Sequence, residues 1–427
     1  MKKLKVILIL AGVLPVLKAI LFPVFFVSVG TTFMLSSCCD TCDNPPIDTF
    51  AATPYEWPTP AGNKPWFPTL MNIPSDNPMT VEGVELGRYL FYDTRLSGRQ
   101  PCEMQMSCAT CHIQEHSFEV GIDNPRFPDG VTRGLPDDQY PEGKPTPHFN
   151  MPFINLVFNM NGYLWNGMIH SSNPNLGNAA YGVPAEPQYH LRNIESLVWM
   201  GIHAQHEING TVDMTVNMIK TITKNPDYPK LFKAAYGTEE INYDRISKAI
   251  AQFIRSLISY NSKYHKWIRK EIPNLTPAEY RGYTLFMSEK GDCFHCHGNP
   301  VFLTTNLFYN NGLDTLFNDP RDHFGFTKNP MDKGAYKAPT LINCELTAPY
   351  MRDGRFKTLE EVISHYSEGV QYSAYINPLM KWASHGGNQL TETEKADLLA
   401  FLKTLTDYDF ITNPAYSRPA DLKTGCE

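Results

Sequence analysis

The sequence is poor in charge and has no excess of basic residues. Only 19% of its 427 residues are Asp, Glu, Lys or Arg, and the formal net charge is −7. Residues 1–37 contain four Lys and no acidic residue, so the chain without them carries a net charge of −11. A body this acidic argues against nucleic acid as a partner, because a phosphate backbone is bound by clustered positive charge. Apolar residues make up 42% of the chain, which is ample for the cores of two ordinary domains.

Residues 1–37 are expected to be an export signal. The first five residues include three Lys, and an apolar stretch interrupted by Lys18 follows them. The stretch ends in Leu-Ser-Ser-Cys, where Cys38 is the residue that would carry the lipid of a bacterial lipoprotein. An uncleaved transmembrane anchor is the alternative, since the apolar region is long enough to span a bilayer. Either way, a protein tethered to a membrane of the cell envelope is expected, periplasmic or associated with the outer membrane.

Two copies of one short motif follow. Residues 108–112 and residues 293–297 both read Cys-x-x-Cys-His, the attachment signature of c-type haem. Its two thiols bind the vinyl groups of one porphyrin, and its His binds the iron. The residues are Cys108, Cys111 and His112 in the first copy and Cys293, Cys296 and His297 in the second. Zinc is the alternative for either copy, but two copies behind an export signal favour two covalent haems.

Cysteine is not abundant beyond these uses. Of ten Cys, four attach haem and Cys38 would carry lipid, which leaves an odd set of five: Cys39, Cys42, Cys102, Cys344 and Cys426. A disulfide among them is compatible with an export compartment. The sequence does not decide which residues pair.

An internal repeat surrounds the two motifs. Residues 87–91 and 282–286 read Gly-x-x-Leu-Phe on helical patterns, and residues 253–257 resemble residues 401–405. Capping boxes that begin at Thr276 and at a second Thr, residue 391, predict two of the helix starts. Each half therefore reads as helix, haem motif, long connection and closing helix. This is the plan of a class I cytochrome c domain, in which the first and last helices cross and the haem fills the gap.

We therefore predict a mainly α fold with two class I cytochrome c-like haem domains and long irregular loops, since 34 Pro are present. The first half has the longer gap before its haem motif, 21 residues against 11, and an insertion over residues 113–242. A catalytic haem needs a roof over an open iron face, so the first half is expected to be the catalytic one. The expected parts are a signal peptide 1–37, a tether 38–75, an N-terminal domain 76–262, a C-terminal domain 276–412 and a tail 413–427.

With these residues in view, the chain resembles the bacterial di-haem cytochrome c peroxidases and the related di-haem enzyme that matures the tryptophan-derived cofactor of methylamine dehydrogenase. The resemblance extends over about residues 78–410. It rests on the motifs at residues 86–93, 107–112, 163–167, 308–314 and 336–361. It implies that the N-terminal haem reacts with hydrogen peroxide and that the C-terminal haem delivers the electrons.

The resemblance also assigns two catalytic residues. Trp165 aligns with a Trp that lies between the two haems, with an ordinary core aromatic as the alternative. Glu207 aligns with the distal Glu that moves a proton between the peroxide oxygens, with a solvent-facing Glu at a helix end as the alternative. The distal Gln that accompanies this Glu in the family is not recognisable, because Gln205 has the wrong spacing.

A calcium ion between the domains is implied as well. Asn150 aligns with its side-chain ligand, and Thr347 and Pro349 align with its two carbonyl donors. Oxygen ligands with retained water suit calcium.

Two departures from the family concern the iron ligands. The removable His ligand of the first haem is replaced by Pro128, and we interpret His116 as structural, so an open first haem that needs no reductive activation is expected. At the second haem, Tyr366 aligns with the sixth ligand, as in the maturation enzyme. An anionic Tyr would lower the reduction potential. His365 is the rival ligand, and Met351 or Met380 would be needed in the usual peroxidase scheme.

These features predict a di-haem peroxidase that reduces hydrogen peroxide to water. Its electrons would come from a small donor protein, a cytochrome or a cupredoxin, and enter through the C-terminal haem. One alternative is a di-haem enzyme that oxidises a protein side chain through high-valent iron, and another is a di-haem electron-transfer lipoprotein without enzymatic activity. A homodimer is expected by analogy only.

Overall fold

The computed structural model describes residues 52–59, 70–133, 150–170, 193–423 and Cys426. This part of the chain is mainly helical, which confirms the predicted fold class. Its α-helices are α1 Val81–Tyr92, α2 Cys108–Cys111, α3 Ile194–His203, α4 Val212–Thr221, α5 Tyr228–Tyr236, α6 Tyr243–Ser256, α7 Lys263–Ile268, α8 Pro277–Phe286, α9 Phe294–His297, α10 His323–Thr327, α11 Leu359–Ser364, α12 Glu392–Lys403 and α13 Tyr408–Ile411. Two short antiparallel strands, β1 Phe308–Tyr309 and β2 Tyr336–Lys337, pair with each other.

The expected signal peptide, Cys38, Cys39 and Cys42 lie outside the described residues. Within the described ranges, no helix is both long and apolar enough to cross a membrane. One described piece of the expected tether, residues 52–59, lies along the start of α1. There the backbone N–H and the hydroxyl of Thr53 donate to the carboxylate of Glu82 at 3.0 and 2.7 Å.

The two Gly-x-x-Leu-Phe segments are the crossing points of two helix pairs. A Cβ on Gly87 of α1 would lie 1.9 Å from the carbonyl oxygen of Ala249 in α6. A Cβ on Gly282 of α8 would lie 1.9 Å from the carbonyl oxygen of Asp397 in α12. Glycine is needed at both positions because the helix backbones touch there. The repeat seen in the sequence therefore corresponds to two helix crossings, although the domain boundaries at 76–262 and 276–412 stay a prediction.

Both predicted capping boxes are present. The hydroxyl of Thr276 accepts from the backbone N–H of Glu279 at 3.3 Å, and the Glu279 carboxylate accepts from the Thr276 N–H at 2.7 Å. Thr391 and Glu394 make the same pair of bonds at the start of α12. Each box satisfies N–H groups that have no partner within the helix, so α8 and α12 begin where the sequence predicts.

The sequence predicts a long loop for the insertion after the first haem motif, but the structure has helices in it. Its described part contains α3, α4 and α5. Helix α3 is almost wholly buried and packs against α6, where Glu195 and Arg255 form a fully buried ion pair with two contacts of 2.7 Å. The apolar run of α3 concealed this helix, since a buried helix lacks the alternation of apolar and polar residues that marks a surface helix.

The structure also decides one cysteine pairing that the sequence left open. Cys102 forms a disulfide with Cys426, which fastens the C-terminal end of the chain to the segment before the first haem motif. Cys344 is buried and free.

Candidate active site

One cavity brings together the first haem motif and both predicted catalytic residues. Its empty volume is about 1450 Å³, including its open mouth. Among the side chains that line it are Cys108, Cys111, His112, Trp165 and Glu207. Most of the other lining residues are apolar. Such a space suits a large flat cofactor that is attached at one wall.

His112 is oriented as an iron ligand. Its Nδ1 lies 2.7 Å from the carbonyl oxygen of Phe118, so the Nδ1–H donates and Nε2 keeps its lone pair. Burial lowers the pKa of His112 to about 4, which keeps the imidazole neutral. The ring also stacks on Phe153 with 3.6 Å between ring centres. A neutral, oriented imidazole beside the two free thiols of α2 fits a c-type haem.

The second motif repeats this arrangement. The Nδ1 of His297 lies 3.0 Å from the carbonyl oxygen of Leu303, again six residues further along the chain. Burial lowers the pKa of His297 to about 4, and Cys293 and Cys296 are free thiols. The same donor set, oriented by the same backbone contact, therefore occurs twice.

Glu207 lies on a rigid turn after α3 rather than at a solvent-facing helix end. The buried guanidinium of Arg99 donates from Nε to the Glu207 carbonyl at 3.0 Å and from Nη2 to the carbonyl of Gln205. A Cβ on Gly201 would lie only 3.0 Å from the Glu207 carboxylate. The turn is therefore held on one side by Arg99, and the carboxylate lies close against α3 on the other.

His206 is a member of this site that the sequence reasoning missed. It lines the cavity, and its Nε2 lies 3.4 Å from a carboxylate oxygen of Glu207. Gln205 is exposed, whereas Leu197 and Met200 line the cavity. The second polar side chain of the cavity next to Glu207 is therefore a His. The only signal in the sequence was its position beside Glu207.

Trp165 is buried in a tight loop that packs against the C-terminal half of the chain. Its backbone carbonyl accepts from the N–H of Lys337 in β2 at 2.8 Å. The ring of Phe308 in β1 lies so close to Gly167 that a Cβ there would be 2.2 Å from it. Two strands of the C-terminal half thus hold the backbone of the loop that carries the indole.

Tyr366 lies at the second haem motif on a π-helical turn, His365–Gly369, that continues α11. The Asn311 amide donates to its phenol oxygen at 3.1 Å, and burial raises the pKa of Tyr366 to about 12. The thiols of Cys293 and Cys296 are close enough to add to that rise. Such π-helical turns are frequent at functional sites.

Two of the three rival ligands, His365 and Met351, have contacts near Tyr366. His365 directs Nε2 to the backbone carbonyl of Asn311 at 3.2 Å, so this nitrogen is engaged away from a metal. The Met351 sulfur lies 3.7 Å from the same Asn311 amide that binds Tyr366. Met351 thus contacts the same amide as the Tyr366 phenol.

The predicted calcium ligands are not joined by direct contacts. Asn150 lines the cavity, the hydroxyl of Thr347 donates to the Cys344 carbonyl at 3.3 Å, and Pro349 packs against Gly130. No hydrogen bond within the described ranges joins Asn150 to Thr347 or Pro349. The calcium site stays a prediction.

His116, which the sequence suggests to be structural, and Arg352 have contacts with other side chains. His116 binds the Asp123 carboxylate with Nε2 at 2.5 Å, in line with a structural role. Arg352 lies over the ring of Tyr336, 4.3 Å from its centre, and forms an ion pair with Asp314.

Comparison with known proteins gives a consistent result. Residues 81–272 match the model of the di-haem cytochrome c peroxidase family. The methylamine utilization protein MauG of Methylorubrum extorquens is 30% identical over 333 residues, which cover 78% of this chain and 80% of that protein. The cytochrome c551 peroxidase of Nitrosomonas europaea is 29% identical over 352 residues, 81% and 85% of the two chains. The crystal structure of a MauG-like protein associated with microbial copper homeostasis superposes with a TM-score of 0.66 at 30% identity, covering 84% of this chain and 99% of that one.

Proposed function

Because this chain belongs to the family of di-haem cytochrome c peroxidases and MauG proteins, we propose that it reduces hydrogen peroxide to water with electrons from a small donor protein. The family implies two c-type haems, and both Cys-x-x-Cys-His motifs have the donor set that they require. The relatives include both peroxidases and MauG proteins, so membership of the family does not fix the reaction. The proposal is that peroxide is the final electron acceptor.

The observation that carries this proposal is the position of Glu207 in the cavity of the first haem motif. The haem, when bound, supplies the iron at which the peroxide bond is cleaved and the electrons are delivered. Cleavage also needs a base that takes a proton from one peroxide oxygen and returns it to the other. Glu207 is the carboxylate that lines this cavity among the described residues, and Arg99 holds the turn that carries it. The side chain of His206 stands beside it and can share the proton.

Electron delivery is assigned to the second half of the chain. His297 and Tyr366 would hold the second haem. Trp165 is buried in a loop that contacts β1 and β2. We assign the indole, which lines the cavity of the first haem motif, the role of a relay that would divide one long electron transfer between the haems into two shorter ones. The acidic body is compatible with a cationic donor protein.

The test is peroxide turnover by the holoprotein with ferrous cytochrome c as donor. Replacing Glu207→Gln removes the base but keeps the shape, and we expect the rate to fall by about two orders of magnitude or more, the usual contribution of a positioned acid–base group. Glu239→Gln is the matched control, since Glu239 is exposed and does not line the cavity. An undiminished rate in Glu207→Gln would contradict the assignment.

Oxidation of a protein side chain is a second candidate, favoured by Tyr366 beside the second haem motif. An anionic oxygen ligand stabilises oxidised iron, so the protein would retain the oxidising equivalents of peroxide instead of passing them quickly to a donor. Mixing the fully oxidised protein with one equivalent of peroxide in a stopped-flow spectrometer separates the two functions. A spectral change that persists without donor supports this candidate, whereas fast decay and fast turnover with ferrous cytochrome c support the peroxidase.

Attachment to a membrane through Cys38, a calcium ion and a homodimer remain parts of the proposal. Lipid attachment is tested by detergent partitioning of the mature protein and of a Cys38→Ala variant. Calcium is tested by metal analysis after gel filtration, and the dimer by light scattering.

A further inference from the structure

Lys337 is a buried cation in the wall of the active-site cavity. Only 5% of it is exposed, and it lines the cavity together with Trp165 and Glu207. Its Nζ donates to the carbonyl oxygen of Gly162 and lies 5.0 Å from the ring centre of Phe308. Burial alone lowers its pKa to about 7.

The surroundings of Lys337 do not balance its charge. No carboxylate of the described residues forms an ion pair with Lys337. The described groups that face its Nζ are a backbone carbonyl and an aromatic ring. Arg255, a fully buried cation of the core, has both oxygens of Glu195 at 2.7 Å. Buried charges in proteins are paired almost without exception, because an isolated charge in a medium of low dielectric constant costs several kcal/mol. Among the described residues, a charged Lys337 therefore has no anionic partner.

The cavity has an obvious source of that anion. Thioether bonds to Cys108 and Cys111 would hold a haem inside it, and each haem carries two propionate carboxylates. Glu207, the carboxylate that lines the cavity among the described residues, lies against α3 beside His206 and makes no ion pair with Lys337. We propose that Lys337 forms a buried ion pair with a propionate of a haem bound in this cavity. This proposal rests on the haems and not on peroxide as the substrate.

Such a pair would give Lys337 a second role. Through its backbone N–H it already binds the carbonyl of Trp165, and through Nζ it binds the carbonyl of Gly162. One residue of β2 would then hold a haem carboxylate and both sides of the loop that carries the indole. Its positive charge would also favour the reduced state of the nearby haem, since reduction adds a negative charge. Lys337 is in this sense a positioning residue that also tunes a potential.

The experiment is a spectroelectrochemical titration of the holoprotein without peroxide. Lys337→Met keeps the length of the side chain and removes the charge. We expect the reduction equilibrium of one haem to shift about tenfold towards the oxidised state, about 59 mV lower for a one-electron couple. The carboxylate bands in the redox-induced infrared difference spectrum should shift in the same variant.

Lys333→Met is the matched control. Lys333 precedes β2, lies 5.0 Å from the ring centre of Tyr375 and does not line the cavity, so its loss should leave both potentials unchanged. Lys337→Arg keeps the charge and should stay near the unaltered potential, which identifies charge as the cause. If the Lys337→Met variant does not fold with its haems, Lys337→Gln is measured in its place.

Two results would overturn the proposal. Unchanged potentials and infrared bands, with only a lower melting temperature, would mean that Lys337 merely braces Gly162. Equal shifts in the Lys337→Met and Lys333→Met variants would mean that the effect is not specific to the cavity. Because no peroxide is used, either result leaves the proposed peroxidase function to be judged by the Glu207→Gln experiment.

Discussion

The side-chain amide of Asn311 donates a hydrogen bond of 3.1 Å to the phenol oxygen of Tyr366. The backbone carbonyl of the same Asn311 lies 3.2 Å from Nε2 of His365. Asn311 therefore contacts two successive residues of the π-helical turn and holds their side chains in different directions. The phenol stays beside Cys293 and Cys296, while the imidazole is engaged by the backbone.

The first prediction follows from this contact. Tyr366→Phe should abolish the phenolate-to-iron absorption of the oxidised second haem and raise its reduction potential, because an anionic ligand that stabilises oxidised iron is lost. Asn311→Leu should keep the ligand but lower the potential, because the phenol oxygen then keeps more of its negative charge. Both changes are measured by optical spectroscopy during a redox titration.

Met351→Leu is the control for these two variants, since Met351 is the rival ligand that contacts the same amide. It should leave the spectrum of the second haem unchanged. If Met351→Leu moved the spectrum and Tyr366→Phe did not, the second haem would have a thioether ligand, as in the usual peroxidase scheme.

A second prediction concerns Arg99, which holds the turn of Glu207. Arg99→Met leaves the carbonyls of Gln205 and Glu207 without this donor, which should cost about 1–3 kcal/mol of stability. The reaction with peroxide should slow by about tenfold or more, equal to about 1.4 kcal/mol in the barrier, because the carboxylate is no longer positioned. Stopped-flow rates and melting temperatures of the holoprotein measure the two effects.

Arg245→Met provides the comparison for that variant. Arg245 also binds a backbone carbonyl, that of Glu240 at 2.8 Å, but it does not line the cavity. It should lose stability and keep the peroxide rate. Equal loss of rate in both variants would show that Arg99 acts only through overall stability.

A third prediction concerns pH. Glu119 is buried, and burial raises the pKa of its carboxyl group well above the ordinary value of 4.5. Above pH 4.5 the native state therefore binds a proton that the unfolded state has released, so this group makes stability fall as the pH rises towards its folded pKa. Glu119→Gln should raise the free energy of unfolding at pH 8 by about 1–3 kcal/mol and flatten its pH dependence above pH 5.

Denaturant titrations of the holoprotein at pH 5 and pH 8 measure this effect. Glu115→Gln is the control, because Glu115 is exposed four residues earlier. A pH dependence that is the same in both variants would mean that Glu119 has a charge partner.

A fourth prediction concerns the helix crossings. Gly87→Ala or Gly282→Ala would push a methyl group into the backbone of the partner helix, so each should cost about 1–3 kcal/mol or more. At Gly369 a Cβ would meet nothing closer than 3.4 Å, and Gly369→Ala should be nearly neutral. Thermal unfolding of the three holoproteins tests this. Unaltered stability in the first two variants would mean that the helices separate at little cost.

Some of the site could be predicted because its chemistry depends on residues that are close together in the sequence. Cys-x-x-Cys-His specifies covalent haem within five positions, and the capping boxes at Thr276 and Thr391 specify helix starts within four. Glu207 and Trp165 came from the family resemblance, and the structure places both in the cavity of His112. The insertion was harder, because nearly every residue of α3 is buried and the helix has few polar residues to mark a solvent-facing side.

By itself, the sequence determined the helical class, the two haem motifs and the helix starts, since each depends on residues that are neighbours in the chain. Only the tertiary structure decided that Cys102 pairs with Cys426, that His206 lines the cavity and that Asn311 binds Tyr366. It also decided that Lys337 is buried without a carboxylate of the described chain. The physical reason is that burial, hydrogen-bond partners and charge pairing depend on which distant segments cross. A Lys two residues before a Pro is ordinary in a sequence and becomes informative only when water has been removed around it.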